Sequence, residues 1–270
     1  MESVRSFALG PYTVGGGRLT LIAGPCVAES IDLCQEVAGT MKALCAEFDF
    51  DFVFKASFDK ANRTSAGSAR GLGVDDGLRV ISETKRVIGV PATTDIHLPE
   101  QADVAASIVD LLQIPAFLCR QSDLLEAAAQ TGRPVNIKKG QFLAPEDTQN
   151  IVEKMRAYGA AGVMLCERGT TFGYHALIVD MPGLEIMRQQ GVPVCFDATH
   201  SAQRPGGAGA SSGGVRESIP ALVRAAVAVG IDALFMEVHP DPDRAWSDAA
   251  TQWPLAQARE VLESVARLRS

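Results

Sequence analysis

Eight short apolar runs, each followed by a stretch with helical periodicity, recur along this chain. The runs are LTLIA (19–23), FVFKA (52–56), VPATT (90–94), DLLQI (110–114), PVNIK (134–138), GVMLC (162–166), PVCFD (193–197) and ALFME (233–237). The helical stretches between and after them include IDLCQEVAGTMKALCAEF, DGLRVISETKRVI, SDLLEAAAQ, EDTQNIVEKMRAYG and PLAQAREVLESVARL. Strictly alternating strands and helices require parallel pairing with helical crossovers, and eight such units in about 250 residues are the pattern of a (β/α)8 TIM barrel. A doubly wound open sheet is the alternative. Its dinucleotide fingerprint is missing, because GSARGLG has the wrong spacing and does not directly follow a strand. With 270 residues, 47% of them hydrophobic, no linker and no repeat beyond the strand–helix period, residues 1–270 read as one domain. The opening segment 1–17, through FALGPYTVGGG, reads as a short N-terminal β-hairpin turning at Gly15–Gly17 and capping the barrel floor. Helix starts are expected at Ser30, Asp75, Ser122 and Pro145 with Glu146 and Asp147. GGAGASSGG (206–214) reads as a mobile loop between the seventh strand and its helix.

The net charge of −7 argues against general nucleic-acid or membrane-surface binding, which needs broad basic faces. No apolar run is long enough for a transmembrane helix, and the N-terminus lacks a signal-peptide core. The six cysteines are scattered without a CxxC motif, which fits reduced thiols in a cytoplasmic protein. Only seven lysines are present, and four of them fall in two short segments, KASFDKANRTS (55–65) and NIKKGQ. Positive charge concentrated against an acidic background points to a local anion site.

A barrel gathers its chemistry at the C-terminal ends of its strands. Here every strand end carries polar residues of types that turns do not require. In order they bring Cys26, the KASFDKANRTS loop, Asp95 with His97, Gln113 with Arg120, Lys138 with Lys139 and Gln141, Arg168, His200, and Glu237 with His239 and Asp248. Lys55, Lys60, Arg63, Lys138 and Arg168 would then point into one bowl, suited to small substrates with several negative charges. Ser57, Asn62, Thr64 and Ser65 add donors for phosphate or sugar oxygens. Cys26, His200, Glu237 and Asp248 offer mixed S/N/O ligation for a divalent transition metal, and strand eight pairs back with strand one in a closed barrel. The residues by themselves leave open a buried structural cysteine beside a hydrogen-bonded histidine. The remaining cysteines read as packing residues.

The segments IAGPCVAES, FKASFDKANRTS, TDIH, QIPAFLCRQ, VNIKKGQF, CERGTTFGY, FDATHS and MEVHPDPDRAWSDA, in that order, resemble the 3-deoxy-D-manno-octulosonate 8-phosphate synthases over nearly the whole chain. That resemblance implies a (β/α)8 barrel, usually a homotetramer, which condenses phosphoenolpyruvate with D-arabinose 5-phosphate and water. Inorganic phosphate is released, and the product is a lipopolysaccharide precursor. The alternative is the related 3-deoxy-arabino-heptulosonate 7-phosphate synthases, which use erythrose 4-phosphate. Those carry Lys-Pro-Arg-Thr where this chain has Ala61-Asn62-Arg63-Thr64. Thr64 stands where many of the octulosonate synthases have Ser.

Carried over residue by residue, the resemblance places phosphoenolpyruvate on Lys60, Lys138 and Arg168, with Lys55, Ser57 and Gln113 around it. Arabinose 5-phosphate falls to Asn62, Arg63 and Thr64, with Asp95 near its hydroxyls. Lys60, Lys138, His200 and Asp95 are expected at the reacting atoms. Cys26, where metal-independent members have Asn, implies a divalent metal ion (Fe, Zn, Mn or Co) on Cys26, His200, Glu237 and Asp248. A Schiff-base aldolase using Lys138 or Lys55, and a non-catalytic phosphosugar-binding barrel, are the rival readings.

Overall fold

The computed structural model describes residues 4–61, 67, 69–207 and 213–269. Eight parallel strands close into a barrel: β1 (Thr20–Gly24), β2 (Asp51–Lys55), β3 (Ala92–Asp95), β4 (Leu111–Ile114), β5 (Val135–Lys138), β6 (Val163–Glu167), β7 (Val194–Asp197) and β8 (Ala233–His239). Neighbours pair in chain order, and β8 pairs with both β7 and β1, so the barrel has no free edge. Each lies within about two residues of the apolar run that signalled it, because strands buried on both faces read as apolar runs. Gly24 ends β1 hard against β2, where a Cβ would collide with the Lys55 carbonyl oxygen.

Around the barrel lie α1 (Ile31–Glu47), α2 (Gly73–Ile88), α3 (Ala102–Ile108), α4 (Ser122–Gln130), α5 (Thr148–Ala157), α6 (Met181–Arg188), α7 (Ile219–Val229) and α8 (Ala258–Arg269). Their inner faces join the outward faces of the strands in the main hydrophobic core. The Ser30 hydroxyl accepts from Leu33 N and caps α1. The other expected caps shift. Asp75 lies in the first turn of a helix starting at Gly73, Ser122 is already helical, and Asp147 precedes α5 without a side-chain cap.

The N-terminal hairpin pairs Phe7–Leu9 with Tyr12–Val14. Its turn is at Gly10–Pro11, not at Gly15–Gly17. Gly10 takes a positive φ (φ 58) and Pro11 follows it, which closes a short loop at once. Tight hairpin loops of this kind depend on a residue that tolerates positive φ. The hairpin does cap the floor. Phe7, Leu9 and Val14 pack against the inward residues Ile22, Val53, Leu111, Met164, Cys166, Cys195 and Phe235. Below the rim these side chains fill the barrel interior with an apolar plug. No described helix is long and apolar enough to cross a membrane.

Candidate active site

Above the Phe235 ring, the strand ends converge on a layer of buried charge. Lys138 Nζ lies 3.8 Å over that ring and Lys55 Nζ lies 5.4 Å from its centroid. One aromatic face thus forms the floor under two ammonium groups. Lys55 Nζ donates to Glu237 Oε1 at 2.6 Å and to the Cys26 carbonyl at 3.1 Å. Lys60 Nζ reaches the same Glu237 oxygen at 3.6 Å. Lys138 Nζ pairs with Asp197 Oδ2 at 2.6 Å. Burial pulls the Lys138 pKa down, but Asp197 and the other anions around it prevail and hold it above its ordinary value.

Asp95 forms a second knot. Its carboxylate accepts from the Ser57 hydroxyl and from Gln113 Nε2, and Gln113 Oε1 accepts from Asn136 Nδ2 at 2.9 Å. This chain of donors crosses β2 to β5 at one level. Burial favours the neutral acid, yet the ammonium groups of Lys55, Lys60 and Lys138 outweigh it and keep the Asp95 carboxyl well below the usual carboxylate range. A depressed folded pKa stabilises fully above the unfolded value of about 4, and that contribution drains away as pH falls below it. We predict that the thermal midpoint of the protein falls steeply below about pH 4. Asp95→Asn should flatten that fall while lowering the midpoint at neutral pH; an unchanged acid slope in the variant would show that Asp95 does not carry it.

His200 and Asp248 complete the ring. Asp197 caps the single turn Ala198–Ser201 by accepting from His200 N, and its Oδ2 takes the imidazole Nδ1 at 2.7 Å. The proton is thereby held on Nδ1. Nε2 faces Asp248 Oδ2 at 3.5 Å and Glu237 Oε1 at 3.9 Å. Cys26 Sγ donates to Asp248 Oδ2 at 3.2 Å. Ligand atoms of Cys26, Glu237 and Asp248 all lie within 4.8 Å of one another. Burial, reinforced by Asp248 and Glu237, pushes the Cys26 thiol pKa well up. Glu237 Oε2 is buried without a hydrogen-bond partner. Asp248 has a positive φ (φ 52). The surroundings must impose that conformation on a non-glycine residue.

The structure therefore brings together Cys26, Lys55, Ser57, Lys60, Asp95, Gln113, Lys138, Arg168, His200, Glu237 and Asp248. Asn62, Arg63, Thr64 and Ser65 lie outside the described residues, as do residues 208–212 of the glycine-rich loop. Other rim residues stand apart. Lys139 is fully buried and staples loops, donating to Leu143 O and Thr170 Oγ1 and sitting 3.5 Å from Glu167. Arg120 is exposed beside α4. His239 accepts from Asp241 N and faces Glu29, and exposed His175 ties the β6 loop to the Pro205 carbonyl.

Sequence reasoning missed Asp197, Gln203, Asn136 and Gln252. Asp197 had a usable signal: an Asp three residues before a His at the start of a helical turn can cap that turn and orient the imidazole. The two glutamines had none. Gln252 accepts from Cys26 N at 3.1 Å and donates to Ser247 O at 2.8 Å, joining segments 226 residues apart.

In the described bowl four cations (Lys55, Lys60, Lys138, Arg168) face four carboxylates (Asp95, Asp197, Glu237, Asp248), all but Lys60 and Asp248 among the most buried residues. Charge so concentrated above a packed apolar plug is costly unless paired, and it marks a catalytic centre better than a structural one. Fold and site together define a (β/α)8-barrel enzyme that handles small anionic substrates. Residues 10–269 match the DAHP synthetase I family, and the chain belongs to it. It is 56% identical to the 2-dehydro-3-deoxyphosphooctonate aldolase of Dechloromonas aromatica, across 92% of this chain and 90% of that one. Similar relatives of the same name come from Methylococcus capsulatus, at 52% identity over 98% and 94% of the two chains, and from a Synechococcus strain, at 54% over 96% and 91%.

Proposed function

We propose that this chain condenses phosphoenolpyruvate with D-arabinose 5-phosphate and water, giving 3-deoxy-D-manno-octulosonate 8-phosphate and inorganic phosphate. The observation that carries the reading is the convergence of Lys60, Lys138 and Arg168 on one bowl beside Cys26, His200, Glu237 and Asp248. The shared name of the relatives supports the eight-carbon product over the seven-carbon one.

In this reaction the methylene carbon of phosphoenolpyruvate bonds to the sugar aldehyde carbon. Water oxygen adds to the enol carbon, and the bond from that carbon to the phosphate oxygen breaks. Two anionic reactants must be held within bonding distance, so positioning and charge compensation supply much of the rate. Arg168 Nη1 is buried and unpartnered, a donor waiting for an anionic group. Lys60 and Lys138 set ammonium groups on either side. Asp95, with Ser57 and Gln113 fixing its orientation, can accept from sugar hydroxyls. A Schiff-base route is disfavoured, because it needs a neutral amine. Lys138 is instead held charged against Asp197, and Lys55 is ion-paired with Glu237.

A divalent cation belongs to the same reading. The orphaned Glu237 Oε2, the directed His200 Nε2 and the clustered Cys26 and Asp248 fit a mixed S/N/O donor set, which suits Fe, Zn, Mn or Co. When bound, such an ion polarises a carbonyl or acidifies water. Its charge also tips the balanced bowl toward accepting anions. The family's homotetramer fits the hairpin Thr170–Gly173/Ala176–Ile178, whose Phe172, Tyr174 and Ile178 are exposed and would be covered by a second copy.

The test is direct. Incubated with both substrates and Mn²⁺, the protein should release inorganic phosphate, about 10²-fold faster with arabinose 5-phosphate than with erythrose 4-phosphate. The preparation should scatter light as four chains. Equal rates with the two sugars, or none, would overturn the assignment.

A further inference from the structure

Gln203 joins the two halves of the bowl. It opens the short ribbon Gln203–Arg204/Gly213–Gly214 and is nearly buried. Its Oε1 accepts from Arg168 Nη2 at 3.0 Å, and its Nε2 donates to Asp248 Oδ1, also at 3.0 Å. The amide can sit only this way round, because a guanidinium has no acceptor and a carboxylate no donor. Each neighbour keeps its other atom for the bowl. Arg168 retains the unpartnered Nη1, and Asp248 turns Oδ2 toward Cys26 and His200. A polarised Arg–amide–carboxylate chain thus runs from the anion-gripping side to the cation-ligating side.

We infer that Gln203 is a positioning residue that couples the two ligands, so that a divalent cation at Cys26, Glu237 and Asp248 tightens the grip of Arg168 on its anion, and the anion tightens the cation. The inference rests on the cation and phosphoenolpyruvate sites proposed above. Its sign follows from charge. With Asp248 uncompensated, its field reaches Arg168 through the amide and occupies the guanidinium. With a cation on Oδ2, that field is neutralised and Arg168 is left to the ligand. Linkage makes the effect equal in both directions.

The experiment is calorimetric titration of phosphoenolpyruvate, without sugar, into the protein with Mn²⁺ and with chelator. The wild-type ratio of the two dissociation constants is the coupling factor, expected between about 5 and 150. In Gln203→Met the factor should fall about tenfold or to unity, whichever is reached first. A role confined to holding the fold would weaken both affinities and leave the ratio alone. Ratios equal within twofold in variant and wild type overturn the coupling but not the sites. A wild-type protein that takes up no Mn²⁺ overturns the cation reading and the coupling with it. Should the methionine variant fail to fold, Gln203→Ala, in which water can fill the space, is read the same way.

Discussion

Replacing Lys138 by methionine is expected to cut kcat/KM for phosphoenolpyruvate by about 10³-fold or more and to lower the thermal midpoint by about 10 °C. Both effects have one origin. Lys138 Nζ is 2.6 Å from Asp197 Oδ2 and 3.8 Å above the Phe235 ring, with 6% of the residue exposed. Methionine keeps the bulk but takes the lysine partner from a fully buried carboxylate and leaves it only its His200 hydrogen bonds, and breaking a buried pair costs about 3–5 kcal/mol. A domain has only about 5–15 kcal/mol to lose. The chemistry suffers separately, because the lost ammonium faces the anionic reactants and because Asp197 also orients His200. Lys138→Arg separates the two. It restores the charge pair and most of the midpoint, but sets a planar fork where a point charge is needed. Phosphate release and thermal unfolding, measured on both variants, check this. A methionine variant within tenfold of wild-type activity would remove Lys138 from the reacting centre.

Stripping divalent metal with a chelator is expected to reduce turnover by about 10²-fold or more, and added Mn²⁺ should restore it. In Cys26→Asn the residual rate should persist in chelator. An asparagine amide can donate to Asp248 Oδ2 much as the thiol does at 3.2 Å, and Lys60 already supplies positive charge at 3.6 Å from Glu237. The variant thus exchanges a thiolate ligand for a neutral one and should lose metal affinity more than it loses catalysis. Wild-type activity surviving complete metal removal would sink the metal role, and a folded but dead Cys26→Asn protein would sink the second half.

The oxygens that answer these cations were harder to read than the cations. Lys60 and Lys138 stand out because lysine is scarce in an acidic chain, and with Arg168 they fall at or just past the end of an apolar run. Asp197 hides inside FDATHS as an ordinary helix cap, although it holds both Lys138 and His200. Gln203 has no periodicity or spacing to betray it, since its partners are 35 and 45 residues away. Among the described residues the bowl that looked like an excess of positive charge is balanced, because burial in an apolar barrel does not tolerate unpaired ions.

The strands tell the opposite story. Their identity, order and extent followed from alternating apolar runs, since a parallel barrel strand is buried on both faces and must be apolar nearly throughout. The hairpin shows the limit of local reading. The run Gly15–Gly17 drew attention, yet Gly10 makes the turn, because only there does a short loop bring Phe7 opposite Val14 and set Phe7, Leu9 and Val14 into the barrel floor. The primary structure alone determined the (β/α)8 topology and which chemical groups stand at the rim, because backbone pairing and hydrophobic burial act through short-range periodicity. Which groups touch, which lysine staples a loop and which faces the bowl, and what links Arg168 to Asp248 were decided only when barrel closure brought distant strand ends within hydrogen-bonding distance, where electrostatic pairing depends on three-dimensional separation and not on spacing along the chain.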